Sequence, residues 1–408
     1  MLTILQPLFF ILFVLALVGC SQTKLAMTDN YVQPKLIQVI EDGIDGADGL
    51  DNARDAVITH DNMQILVVSA DDNAFTHYDV GNNFTLKLKE TFTNNNQIDS
   101  LTGANALVLS PDNQFAYVVS FYDSALSVFK KGNKGRFHFI QAVRDGLSYQ
   151  RIFKDERPIG SQDKHGLLGA YDIAISHDGK QLYIAGFVSN ALAVFDIQTD
   201  GRVIFNQAIK NVDNNGSILN APAQVAISAN DSQLAVASYQ GNAVHLFSRS
   251  QDGKLNWRQT LSTRTNNEAE SNGPLGLAFS SDGKNLYVGL HANNGLLVFS
   301  KDDKAIYSLS QSLKNAPSGQ YDLSGISSIA ITPEGSQLFA AAEKAHGINV
   351  FSREENGHLQ FHSMIKNSEL GASALKGVSS VNIGTDGKYL LATGGEGDSL
   401  LIFAIKDK

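Results

Sequence analysis

"YDIAISHDGKQLYIAGFVSNALAVF", residues 171–195, decides the fold, because the same arrangement returns six more times along the chain, at 54–78, 105–129, 223–247, 275–299, 327–351 and 379–403. The aromatics that close the units, Tyr78, Phe129, Phe195, Phe247, Phe299, Phe351 and Phe403, are spaced 51, 66, 52, 52, 52 and 52 residues apart. Each unit reads as three short strands: an apolar run, a turn such as "SPDN" or "SHDG", a second apolar run, a polar loop and a third alternating run. A fourth run follows at 135–143, 201–209, 253–261 and 357–365. Four antiparallel strands recurring at about fifty residues spell an all-β protein, a seven-bladed β-propeller. The seventh unit ends at Phe403 with only "AIKDK" remaining, so its fourth strand must come from elsewhere. "PKLIQVIEDG" at 34–43 has the right pattern, and the strand at 35–41 is expected to pair in the last blade and close the ring.

Blades converge on an axis, so the innermost strand has room only for small residues at one position. Val57, Val108, Ala174, Ala226, Ala278 and Ala330 occupy it, with Asn382 as the exception. Two residues earlier, toward one mouth of the channel, stand Asp55, Ala106, Asp172, Gln224, Gly276, Ser328 and Ser380, a polar but unequal series. Propeller sites form at such mouths, among the links between blades and the loops joining second to third strands. Arg54, Asn105, Tyr171, His291 and His346 are expected on the same face. Asp172, His291, Asp55 and Arg54 are the candidate catalytic residues, with a His able to act as general base on a lactone carbonyl. Asn105, Tyr171, Gln224, His165 and His346 are candidate ligand contacts. No Ser nucleophile elbow, HExxH or CxxC is present, and no metal site or cofactor is called for. A quinone dehydrogenase would need tryptophan-rich docking motifs, and Trp257 is the only Trp.

Two irregular stretches stand out. "EDGIDGADGLDNARD" at 41–55 sets Asp42, Asp45, Asp48 and Asp51 three apart among glycines. A calcium loop of the EF-hand type needs oxygens at alternate positions and a distant Glu, so the stretch reads as turn chemistry linking the closing strand to blade 1. The 66-residue spacing marks an insertion at 147–166, "LSYQRIFKDERPIGSQDKHG". Long loops in a regular scaffold tend to be functional, and this one is expected to act as a lid or partner contact, with His165 and Arg157 as candidates.

The chain has 408 residues, a formal charge of -9 and a sequence pI near 5.5. It carries no basic cluster, which argues against nucleic acid as a partner. The N-terminus carries an apolar run from Leu8 to Val18, the length of a secretory h-region and short for a bilayer span. Leu17-Val18-Gly19-Cys20 resembles the lipobox of bacterial lipoproteins, whose cysteine is lipidated after cleavage, and Cys20 is the only cysteine. The expectation is a signal peptide at 1–19, a lipidated Cys20 with a tether at 20–34, and the propeller at 35–408. The protein would be a monomer in the bacterial cell envelope, lipid-anchored at the outer membrane.

"SPDN", "SHDG", "SSDG" and "GTDG", each before an apolar strand and then a "NAL.VF"-like run, resemble the lactonase-like seven-bladed propellers. That group includes bacterial 6-phosphogluconolactonase and the fungal carboxymuconate cyclase type, and the resemblance spans 35–408. The repeated motifs are scaffold motifs, so no catalytic residue is carried over from the family. Two functions follow. The first is a lipid-anchored binding or scaffolding module that offers its loop face to a protein, glycan or small ligand. The alternative is an exported lactone hydrolase.

Overall fold

Each "SxDG"-type turn closes because its side chains satisfy its own backbone. In blade 2, Ser110 Oγ donates to Asp112 Oδ1 at 2.5 Å, and the same carboxylate oxygen accepts the Gln114 N–H at 3.0 Å. Ser176 with Asp178 and Ser280 with Asp282 repeat the pattern. The residue after the acidic one, Asn230 taking that place in blade 4, must adopt a left-handed conformation, which Asn, Asp and Gly tolerate. Asn62, Asn113, Gly179, Asp231, Gly283, Gly335 and Gly387 all do so, with φ between 56° and 74°.

The computed structural model describes residues 31–146, 163–210, 219–264, 272–315, 319–370 and 373–406. The signal segment, Cys20, Arg157 and most of the insertion at 147–166 lie outside the described residues. Among the described residues there are seven four-stranded antiparallel sheets. The innermost strands are Ala53–Ile58, Ala104–Leu109, Ala170–Ile175, Pro222–Ile227, Pro274–Phe279, Ile326–Ile331 and Val378–Ile383, one for each of blades 1 to 7. Blades 1 and 5 also have outermost strands, Leu86–Thr93 and Tyr307–Lys314, whose sequences depart from the pattern of the other four. The closing strand is where the sequence places it: Lys35–Glu41 pairs antiparallel with Ser399–Ala404, so blade 7 is built from both ends of the chain.

Second strands such as Gln64–Ser69 and Phe115–Ser120 are buried along their whole length, because each blade packs both faces against neighbours. One apolar cluster joins Tyr117, Val119 and Val128 of blade 2 to Ile173, Ile184 and Phe195 of blade 3, and the same arrangement recurs around the ring.

Polar staples complement this packing. The third residue after each second strand's exit turn begins has φ between 47° and 53°: Asn73, Ser124, Asn190, Asn242, Asn294, His346 and Asp398. In every blade its side chain accepts a backbone N–H from the link entering the next blade. Gly103, Gly169, Ala221, Asn272, Gly325, Gly377 and Asn52 are the donors, at 2.6 to 3.2 Å.

The Asp/Gly stretch is such a link. The Asp42 carboxylate accepts the Leu50 N–H at 2.9 Å, the Asp48 carbonyl accepts the Tyr78 hydroxyl at 3.2 Å, and the Asp51 N–H donates to Asp72 Oδ2 at 2.8 Å. Gly49 has φ 82°, and a Cβ there would collide with Thr76 Oγ1.

Candidate functional site

A register slip occurs at one place in all seven innermost strands, between Ala53 and Asp55 in blade 1 and at the equivalent residues elsewhere. A bulge inserts one residue and re-aims its neighbours. Here it turns two consecutive side chains per blade toward one mouth of the channel. The first of each pair forms the column Arg54, Asn105, Tyr171, Ala223, Leu275, Ser327 and Ser379, and the second is the Asp55 column. Together, Gly276 apart, they line a cavity of about 530 Å³, joined at the rim by Phe187, Tyr239, His291 and Glu343.

Seven of the nine candidate contacts therefore share one site: Arg54, Asp55, Asn105, Tyr171, Asp172, Gln224 and His291. His346 and His165 do not line it. His346 Nδ1 accepts the Gly377 N–H as blade 6's staple. His165 Nδ1 lies 2.7 Å from Asp145 Oδ1, and that buried carboxylate also accepts the backbone N–H groups of Lys164, His165 and Leu167, pinning the link into blade 3.

The Asp55 column bridges blades. Asp55 Oδ2 accepts the Leu107 N–H at 3.1 Å, Asp172 Oδ2 accepts the Val225 N–H at 2.8 Å, the Gln224 amide oxygen accepts the Leu277 N–H, and Ser328 Oγ accepts the Val381 N–H at 3.2 Å. Gly276 breaks the series because Ile329 of blade 6 occupies the place its Cβ would take. Burial at the bottom of the mouth pushes Asp55 up to about 6, against hydrogen bonds from Leu107, Ser380, Ala56 and Asn382. It pushes Asp172 up to about 7, where the nearby Asp55 charge adds to the effect.

The reactive groups sit nearer the rim. His291 Nε2 lies 2.7 Å from Glu343 Oε2, and Tyr239 Oη lies 3.2 Å from His291 Nδ1. Burial would raise the Glu343 carboxyl, but the hydrogen bond and charge of His291, with Arg54 and Lys344, outweigh it and hold the group below the usual range. An ionised carboxylate can only accept, so His291 Nε2 donates to Glu343. Opposite, Arg54 Nε donates to Asn105 Oδ1 at 3.2 Å and the guanidinium also reaches the Tyr171 hydroxyl, while Asn105 Nδ2 donates to the Tyr171 carbonyl. Burial raises the Tyr171 hydroxyl, Glu343 and Asp172 add to this, and Arg54 works against it. The mouth thus holds an oriented imidazole, a guanidinium and a carboxyl that titrates near neutrality, a set suited to adding water to an activated carbonyl.

Glu343, Tyr239 and Phe187 were missed from the sequence, although the signal was there. They occupy the same repeat position as His291, in the column Ala70, Phe121, Phe187, Tyr239, His291, Glu343 and Gly395, and only His291 is conspicuous when that column is not read across blades.

A seven-bladed propeller with a polar channel mouth defines a class of scaffold, and comparison with known proteins narrows it. The family described as "Lactonase, 7-bladed beta-propeller" matches residues 51–265, and the chain belongs to that family. It is 27% identical over 202 residues to a 6-phosphogluconolactonase of Enterobacter sp. (strain 638), covering 45% of this chain and 56% of that protein. It is 29% identical over 155 residues to a 6-phosphogluconolactonase of Yersinia pestis (strain Pestoides F), covering 35% and 42%. The chain thus spans about half the length of these curated relatives. The structure of Pseudomonas aeruginosa periplasmic gluconolactonase superposes with a TM-score of 0.60 at 14% identity, covering 76% of this chain and 84% of that one, a likeness of fold.

Proposed function

We propose that the protein hydrolyses a sugar lactone in this channel mouth. Family membership favours this over a binding or scaffolding module, and the observation that carries it is the His291–Glu343 pair facing Arg54 across one cavity. Glu343 orients the imidazole, His291 Nδ1 exchanges its Tyr239 hydroxyl contact for the attacking water and takes a proton from it, and Arg54 stabilises the oxyanion that forms on the carbonyl oxygen. The Asp172 carboxyl, held near neutrality, protonates the ring oxygen as the C–O bond breaks, releasing the open hydroxy acid. Asp55 holds blades 1 and 2 together beneath them.

The test is acid release from a panel of unphosphorylated lactones by the purified protein beside His291→Ala and Asp172→Ala. Turnover lost in both variants supports the assignment. No turnover of any lactone by the wild type returns the protein to the binding-module reading. We also propose that Cys20 carries a lipid anchor to the outer membrane, so that Cys20→Ser should shift the protein from the membrane to the soluble fraction, and an unchanged distribution would remove the anchor.

A further inference from the structure

The rim column divides the mouth into chemical sectors. Blades 5 and 6 contribute the acid–base pair His291 and Glu343, blades 7 and 1 contribute only Gly395 and Ala70, and blades 2, 3 and 4 contribute Phe121, Phe187 and Tyr239. The rings follow one another round the rim from the reactive pair, Tyr239 and Phe187 within the cavity lining and Phe121 beside it, with centroids 6.1 Å apart for His291 and Tyr239, 6.3 Å for Tyr239 and Phe187, and 6.3 Å for Phe187 and Phe121. Tyr171 braces this row from beneath, 5.8 Å from Phe187 and 6.0 Å from Phe121. Val188 and Tyr122, beside them, are 55% and 39% exposed. A row of half-buried rings leading away from a reacting centre offers π faces to the C–H face of a sugar ring.

We propose that this aromatic sector is a second-ring subsite, so that the preferred substrate is the neutral lactone of a disaccharide or longer sugar. The inference rests on the lactonase reading above. Two further observations support it. The cavity, at about 530 Å³, falls within the range of pockets that enclose drug-sized ligands, more than one lactone ring fills. A phosphorylated monosaccharide lactone would bring a charge of roughly −1.5 to −2 into a mouth that sets Glu343, and Asp55 and Asp172 where they ionise, against Arg54. A neutral second ring meets no such opposition and gains the stacking.

The experiment compares kcat/KM of the full-length protein on glucono-1,5-lactone, 6-phosphoglucono-1,5-lactone and cellobiono-1,5-lactone. The disaccharide lactone should be preferred by about tenfold or more, as expected for roughly 1.4 kcal/mol of stacking. Phe121→Leu, which keeps apolar volume but removes the π face, should cut that preference to below threefold with turnover of the monosaccharide unchanged. Phe187→Leu should do the same to the disaccharide. Equal kcat/KM for the mono- and disaccharide lactones in the wild type, or a preference for the phosphorylated one, overturns the proposal. Calorimetric binding of cellobionate to His291→Ala separates the two readings. If no lactone is turned over but cellobionate binds and Phe187→Leu abolishes binding, the subsite stands and the lactonase reading falls. If gluconolactone is turned over but cellobionate binds no better than gluconate, the subsite falls alone.

Discussion

Replacing Glu343 by Gln removes a charge and leaves the shape nearly intact. The carboxylate holds His291 Nε2 at 2.7 Å, and in the proposed reaction it faces an imidazole that becomes positive as Nδ1 takes the proton. With charge centres about 4 Å apart and an effective dielectric of about 20, a full charge pair is worth about 4 kcal/mol. About half the charge has developed at the transition state, so the loss should be near 2 kcal/mol, or roughly 30-fold in rate. The proposed mechanism starts from a neutral imidazole, so the loss belongs in kcat and KM should hardly move. Steady-state kinetics on glucono-1,5-lactone checks this, and His291→Ala with Glu343→Gln should be no slower than His291→Ala alone. A fall in kcat below threefold, or an effect confined to KM, would refute the pairing of base and orienting carboxylate.

His346 should prove a scaffold residue: His346→Asn, the residue used at this position in blades 1, 3, 4 and 5, should leave stability within about 0.5 kcal/mol. His346→Leu should cost about 1–3 kcal/mol by stranding the Gly377 N–H and straining a left-handed backbone, read by denaturant unfolding; equal stability of the two variants would contradict the staple. Asp172 has its folded pKa raised from 3.8 to about 7, so the protonated form favours the fold and its contribution is lost as pH rises through that value. Asp172→Asn should therefore gain on the wild type between about pH 4 and pH 7, by up to a few kcal/mol, and a pH-independent difference in unfolding free energy would dismiss the argument. If the Asp/Gly link at 41–55 is turn chemistry, a chelator should leave the melting temperature unchanged, and a drop of several degrees would assign it a cation.

The scaffold was legible because a propeller states its requirements once per blade. Each turn needs a residue at positive φ, each second strand is apolar on both faces, and seven copies average out the deviations of any one. Even the closing strand could be placed, since an unmatched strand at one end answered a missing one at the other. The site was legible only in part. Arg54, Asp172 and His291 could be set on one face by counting along the repeat, but the bulge that turns Arg54 and Asp55 together into the channel leaves no residue signature. Nor does sequence separate a His that reacts from one that braces. His291 and His346 lie in the loops between second and third strands of adjacent blades, yet their places in the turn differ by three residues. One faces Glu343 and the other a backbone amide. Asp55, Asp172 and Gln224 line the cavity and hold the neighbouring blade at once, a double use that the sequence does not show.

The pairing of Lys35–Glu41 with Ser399–Ala404 has a consequence in time as well as in space. Lys35–Glu41 is the first strand of the propeller to be synthesised, and its partner is the last. At about 5–20 residues per second, the early strand waits on the order of tens of seconds with its hydrogen-bonding groups uncommitted. Six blades can assemble on the emerging chain, but the ring stays open until its final strand arrives. The interval leaves an unpaired edge at each end of the arc, and a nascent chain that stalls late in synthesis exposes both edges to whatever strand reaches them first.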